Sequence, residues 1–260
     1  MLAIVTAFKD EVKDYISSRN FRVKRREGSV RYYESKSMPD AVVVDGAIGK
    51  RRAVDAARKL IDMYSPDFIL SAGFAGGVQQ GLKAGDVILC DRLMAVEGPA
   101  MFWEMDAAKE RPAPIGRRPF FDTLIQEAKR NGNECRMSGC LSVPDLVQSS
   151  SMKSWIGATF PVSIIDMESY WVNEVAAERD IPHAAIRTVL DPVEQTLPAF
   201  VGGAVNDERN RSWERAIRYL VSRPTEVPRL MHLASQVRVA RASLGEMLTT
   251  FDISLNGTGS

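Results

Sequence analysis

The chain has few of the residues from which metal sites and disulfide frameworks are built. Two histidines, His183 and His232, and three cysteines, Cys90, Cys135 and Cys140, are spread over 260 residues. The cysteines are odd in number and lack metal-ligand spacing, so they give neither a zinc site nor a stapled scaffold. Reduced, buried thiols in a cytoplasmic protein are the expectation. An excess of charge of one sign is also missing. Thirty-four Lys and Arg oppose 33 Asp and Glu, a formal net charge of +1, which advertises no nucleic-acid or membrane-surface partner. No run approaches the roughly 20 apolar residues of a membrane span. The opening LAIVTA lacks the basic start and long apolar stretch of a secretory leader. What is present, 45% hydrophobic and 26% charged residues, suits one large α/β domain or two small ones acting on a small molecule.

Apolar runs alternate with helical periodicity. Strands are predicted at 2–6, 21–35 (two, with a turn at Glu27-Gly28), 41–46, 67–72, 83–96, 134–143, 161–166 and 183–190. Helices are predicted at 10–18, 50–64, 120–131, 150–157 and 168–179. Residues 97–119 read as an irregular loop carrying Met101, Phe102 and Trp103. Two further helices are read at 206–222 and 226–251. The second docks through a stripe of Val227, Leu230, Met231, Ala234, Val237, Leu244 and Leu248. The alternating order makes the fold α/β. The partition is a main domain over 1–222, a packed helical extension over 223–252 and a disordered tail over 253–260.

Two acidic signatures close strand-like runs. In IDMES (165–169) Glu168 follows a strand and opens a helix. In IRTVLD (186–191) Asp191 ends a strand before Pro192, which cannot continue a central ladder. Ligands of open α/β sheets bind beyond the carboxyl ends of the strands, so both carboxylates fall where chemistry is expected. Taken singly, each has an ordinary reading, as a helix N-terminal acid or an Asp-Pro turn. Glycines at Gly49 and in SAGFAGGV (71–78) read as turns that let a ligand approach the backbone. The second is neither a P-loop nor a dinucleotide fingerprint.

Five blocks in order, IVTAFKDEV (4–12), AIGK (47–50), AGFAGGVQQGLKAGDVI (72–88), IDMES and IRTVLDP, resemble the nucleoside phosphorylase and nucleosidase superfamily. Within it they are similar to the methylthioadenosine/S-adenosylhomocysteine nucleosidases, while the tail 220–244 looks more like the hopanoid-associated nucleosidases. The resemblance implies a three-layer fold with a central mixed twisted sheet flanked by helices. It implies hydrolysis of the N-glycosidic bond of an adenosine-type purine nucleoside. Asp191 would protonate N7 of the leaving base, Glu168 would clamp the ribose hydroxyls and Glu11 would activate water. Met167 would pack on the sugar. Ile48, Gly49, Phe74, Ala75 and Gly76 would line the substrate, with Leu146 and Val147 at the adenine edge. No metal or cofactor is implied, and relatives of this kind are often homodimers.

Phosphorolysis, with phosphate as co-substrate, is the alternative. Phosphorolytic relatives hold phosphate with arginine and serine near the N-terminal glycine turn. Here only Lys9 or Lys50 offers charge, and Phe74 stands where serine is common, which favours water as nucleophile. Leu190 replaces a serine that often precedes the acid, removing a hydroxyl that orients it. A member that binds nucleosides without consuming them is the reading from another class. Met101, Phe102 and Trp103 would floor an apolar 5′ group or seal a subunit contact. His183 is expected to satisfy a backbone group, and the basic stretches 24–31 and 50–52 to be solvated faces.

Overall fold

The computed structural model describes residues 1–112, 135–198 and 227–257, with isolated positions between 122 and 130. Its strands are β1 (Leu2–Val5), β2 (Arg22–Glu27), β3 (Val30–Ser35), β4 (Met38–Asp45), β5 (Phe68–Gly77), β6 (Val87–Ala95), β7 (Lys109–Pro112), β8 (Cys135–Ser142), β9 (Ile164–Asp166) and β10 (His183–Asp191). The helices are α1 (Lys13–Ser18), α2 (Gly49–Tyr64), α3 (Ser150–Thr159), α4 (Ser169–Glu178) and α5 (Val227–Gly257).

The runs LAIV, AVVV and FILS lie side by side because they are apolar on both faces, the pattern of a covered parallel sheet. Leu2 pairs with Ala41 of β4 and with Phe68 of β5. From β4 the sheet continues antiparallel through β3 to β2, and Gly28 makes the hairpin turn with φ 60°. On the other side β5 pairs with both β9 and β10, and β6 joins β10 to β8. Strands β5, β9, β8, β6 and β10 therefore close on one another, with β5 as the shared member.

Successive strand residues face opposite layers. Ala3 and Val5 pack with Ala53, Ala57 and Leu60 of α2 and with Trp171 and Val175 of α4. Leu2 and Ile4 pack on the other side with Tyr15 and Ile16 of α1 and with Leu244, Met247, Leu248 and Phe251 of α5. Burial of each such side chain is worth about 1.5–3 kcal/mol, so the last turns of α5 belong to the core. Arg241 bonds to Asp14, and the Tyr15 hydroxyl donates to Asp252 at 2.9 Å, tying α5 to α1. The result is the expected mixed α/β sheet with flanking helices and a C-terminal helix.

Several local expectations are corrected. Residues 73–77 are the second half of β5, because pairing to β9 and β10 carries the strand through its glycines. Residues 100–102 and 105–107 form short 3-10 turns, and 109–112 pair with β6 as β7, so 97–112 is an ordered excursion. The first helix begins at Lys13, leaving Glu11 in the turn before it. Helix α5 runs past residue 251 to Gly257, and its early stripe is not buried: Met231 is 69% exposed. The helix read at 206–222 lies outside the described residues. Most of the one at 120–131 does too, although Asp122, Ile125, Gln126, Lys129 and Arg130 are helical. The three cysteines are free and buried, and His183 Nδ1 meets the Ile181 carbonyl at 3.0 Å.

Candidate active site

Side chains of opposite charge converge on the second half of β5. Glu11 reaches it from the turn after β1. One carboxylate oxygen accepts from the Phe74 amide at 2.9 Å, and the other from the Phe8 amide at 2.9 Å and from the Thr6 hydroxyl. Three donors fix this carboxylate in both position and orientation. Burial raises its proton affinity, and Arg187 and the donors offset part of that rise.

Arg187 of β10 is the centre of the cluster and is 1% exposed. Its Nε donates to Asp166 at 2.7 Å and to the Ser169 hydroxyl at 2.9 Å, and Nη2 donates to the Ser71 hydroxyl at 2.9 Å. Asp166 also accepts from the Ser142 hydroxyl at 2.6 Å and from the Ser169 amide at 2.9 Å, which anchors the first turn of α4. Burial would push the Asp166 carboxyl up, but Arg187 and the two serines outweigh it and hold the group below its ordinary value.

Glu168 stands at the N-cap of α4, yet its side chain makes no cap bond there. It turns instead to the start of α2, where the Gly49 amide donates to it at 2.9 Å. Gly49 has φ +73°, a conformation that side-chain-bearing residues rarely adopt. Its neighbour Ile48 is the N-cap of α2. Burial, then the charge of Asp166, raises Glu168 to about 8, because its distance to Arg187 is 4.0 Å while Asp166 holds the close position. Asp166 is thus the group favoured as carboxylate, and Glu168 the one that holds a proton more readily.

Asp191 ends β10, where it pairs with Gly76 of β5. Its Oδ2 accepts from Lys153 Nζ of α3 at 2.8 Å, and Oδ1 is 3.6 Å from where a Gly76 Cβ would stand. Burial raises it and Lys153 lowers it, leaving it at about 6.

The glycines of β5 stand close against side chains of other elements. A Cβ on Gly73 would collide with Arg187 Nη1 and come within 2.8 Å of Glu11, and one on Gly76 would lie 3.2 Å from Ile165. Gly73 thus makes room for Arg187 and Glu11, and Gly76 for Ile165. Phe74, Ala75 and Gly76 lie within β5, with Phe74 packed toward the layer of α1 and α5 and Ala75 toward that of α2 and α4. Met167 is half-buried, with its Cε 3.9 Å from the Cβ position of Gly49, so it faces the same junction. Leu146 and Val147 are half-buried in the loop between β8 and α3. Trp103 is buried and bonded to the Gly98 carbonyl at 3.0 Å, whereas Met101 and Phe102 are 81% and 66% exposed. Sequence reasoning missed Arg187, Asp166 and Lys153. Among the described residues no group of three or more His, Cys, Asp or Glu is placed to hold a metal ion.

The sequence profile of the Phosphorylase superfamily matches residues 1–222. The chain belongs to the phosphorylase superfamily. One similar member is the 5′-methylthioadenosine/S-adenosylhomocysteine nucleosidase of Haemophilus influenzae (strain PittEE). It is 27% identical over 195 residues, which cover 73% of this chain and 85% of that one. Among superfamily structures, the Helicobacter pylori 5′-methylthioadenosine/S-adenosyl homocysteine nucleosidase aligns with a TM-score of 0.71 at 14% identity, covering 96% of each chain. The futalosine hydrolase of Helicobacter pylori strain 26695 aligns with a TM-score of 0.70 at 15% identity and the same coverage. At such identities the structures establish a shared superfamily fold.

Proposed function

We propose that the protein hydrolyses the N-glycosidic bond of a purine nucleoside of adenosine type. Membership of the superfamily supports an N-glycosidase or nucleoside phosphorylase, and the named relative supports hydrolysis. The observation that carries the reading is a set of three buried carboxyl groups, each with a raised proton affinity: Glu11 on the Phe74 amide of β5, Asp191 beside Gly76 at the end of β10, and Glu168 on the Gly49 amide.

Asp191, at about 6, holds a proton at slightly acid pH and gives it to N7 of the base as the glycosidic bond breaks. Positioned proton transfer of this kind contributes about 10²–10⁴-fold. Glu168 binds the ribose hydroxyls. Its proton affinity falls when positive charge grows on the sugar, since a nearby cation favours the carboxylate. Its stabilisation therefore strengthens in the transition state, where it accelerates the reaction. Glu11 orients the attacking water and takes its proton, and the raised affinity that burial gives it suits a base.

Water is favoured over phosphate because the position beside Gly73 is occupied by a carboxylate. Arg187 is bonded to Asp166, Ser169 and Ser71, while Lys50 pairs with Glu97 and lies 4.1 Å from the Trp171 ring centroid. No helix among the described residues is long and apolar enough to cross a membrane. A cytoplasmic homodimer completes the proposal, with exposed Met101 and Phe102 as apolar surface for a second subunit. Light scattering tests the oligomer.

Purified protein is incubated with adenosine and 5′-methylthioadenosine, with and without phosphate, and the products are separated. Free base and unphosphorylated sugar are expected. Sugar 1-phosphate would replace hydrolysis by phosphorolysis. Asp191→Asn is expected to fold and to lose turnover, and full activity in that variant would remove Asp191 as the acid.

A further inference from the structure

Leu190 brings no hydroxyl to Asp191, but a cation arrives from another element. Lys153 lies in the first turns of α3 and is 0% exposed. Its ammonium donates to Asp191 Oδ2 at 2.8 Å and to the Pro192 carbonyl. Burying an ammonium is costly, and an apolar side chain of similar volume often serves packing equally well or better. Packing alone therefore does not account for a lysine here. The contact is also one-sided: Oδ2 meets Lys153, and Oδ1 is turned toward Gly76.

We propose that Lys153 is a positioning residue for the acid, fixing Oδ2 so that Oδ1 meets the leaving base and stabilising the carboxylate that proton transfer leaves behind. This rests on Asp191 being the acid of the proposed reaction. As the O–H bond of Asp191 breaks and the N7–H bond forms, negative charge grows on the carboxyl group, and the bond from Lys153 strengthens with it. An interaction that grows along the reaction lowers the barrier. Among the described residues Lys153 is the charged side chain acting on Asp191, while β5 and β9 present Gly76, Gly77 and Ile165.

The test compares wild type with Lys153→Met, Lys153→Gln and Asp191→Asn. Carboxyl-¹³C aspartate is incorporated, and the Asp191 resonance is assigned by its absence from Asp191→Asn. Its titration in the free protein needs no substrate. Removing the cation is expected to move the Asp191 midpoint upward by about one to three pH units, the range of a close opposite charge. The alkaline limb of kcat/KM for 5′-methylthioadenosine should move with it, and kcat should fall by about 10²–10³, as when one preorganised donor is lost. Merely structural damage would lower the rate without moving either titration. An unmoved Asp191 midpoint in Lys153→Met overturns the proposal, and Lys153→Gln gives the same readout if the methionine variant does not melt cooperatively. Activity retained in Asp191→Asn would refute the acid assignment itself, whatever the lysine variants do.

Discussion

Arg187→Met removes the guanidinium that, among the described residues, faces Asp166, Glu168 and Glu11 together. Arg187 and Asp166 are each 1% exposed at the side chain, so the orphaned carboxylate has no water to turn to. Removing one partner of a buried pair costs about 3–5 kcal/mol. For a chain of this size that is a fall in Tm of roughly 6–20 °C, at about 2–4 °C per kcal/mol. Thermal and urea melts measure it, and the double variant Asp166→Asn/Arg187→Met should recover part of the loss by removing the unpaired charge. The pH dependence adds a sign. In the wild type Asp166 is held below its ordinary value of 3.8, so its stabilisation is complete above that value and is lost as pH falls through the folded one. In Arg187→Met its folded affinity rises above the unfolded one, and stability is then lost as pH increases. The difference between the two proteins should grow from pH 4 to pH 7. A flat difference, or a loss of under about 1 kcal/mol as for exposed pairs, would refute the reading of a dry, arginine-centred cluster.

Gly73→Ala should cost about 1–3 kcal/mol by overpacking and lower kcat, because the new methyl must push Arg187 and Glu11 apart. Gly76→Ala, whose Cβ meets Ile165 at 3.2 Å, should be milder in the same melts, and the opposite order would reject the assigned role of Gly73. Glu168→Gln should abolish turnover yet stabilise the free protein above pH 5. Glu168 rises from 4.5 to about 8 on folding, so its contribution is full below 4.5 and lost as pH climbs through about 8, while glutamine carries no such loss. Tm against pH checks this, and a variant less stable than wild type at pH 8 would contradict it.

The strand and helix order was legible because both periods are strong in this chain. Ala3 and Val5 face one layer and Leu2 and Ile4 the other, and the runs around them carry the same signal. The glycine stretch failed for the opposite reason. With little side chain to show periodicity, residues 73–77 read as a turn, and only pairing with β9 and β10 extends β5 through them. Two of the missed charges had a signal. Arg187 interrupts the apolar run HAAIRTVL, and a charge within a buried strand calls for a partner. Lys153 shares a helical face with Ile156 and Phe160, at spacings of three and seven, which places an ammonium on the buried side. What no spacing could supply is the partner: Lys153 and Asp191 are 38 positions apart, and Arg187 meets Ser71 across 116.

Charge balance within the site bears on which reaction it favours. Around Arg187 stand Asp166, Glu168 and Glu11, and with all three ionised the buried cluster would hold three negative charges against one positive. Burial does not tolerate that, and the outcome is one carboxylate held down at Asp166 and two groups held up at Glu168 and Glu11. Such a cluster resists a further anion but is relieved by a cation. In the proposed reaction a sugar acquiring oxocarbenium character would supply that cation next to Glu168 and water a neutral nucleophile next to Glu11, whereas phosphate would add negative charge where three carboxyl groups already share one arginine. At the far end the balance is reversed. Asp191 has Lys153 to itself, so it can give up a proton and remain paired. Asp191 and Glu168 are thus tuned by opposite environments, a neighbouring cation at one and a neighbouring carboxylate at the other, and that division is the one the proposed reaction uses to set an acid apart from a charge stabiliser.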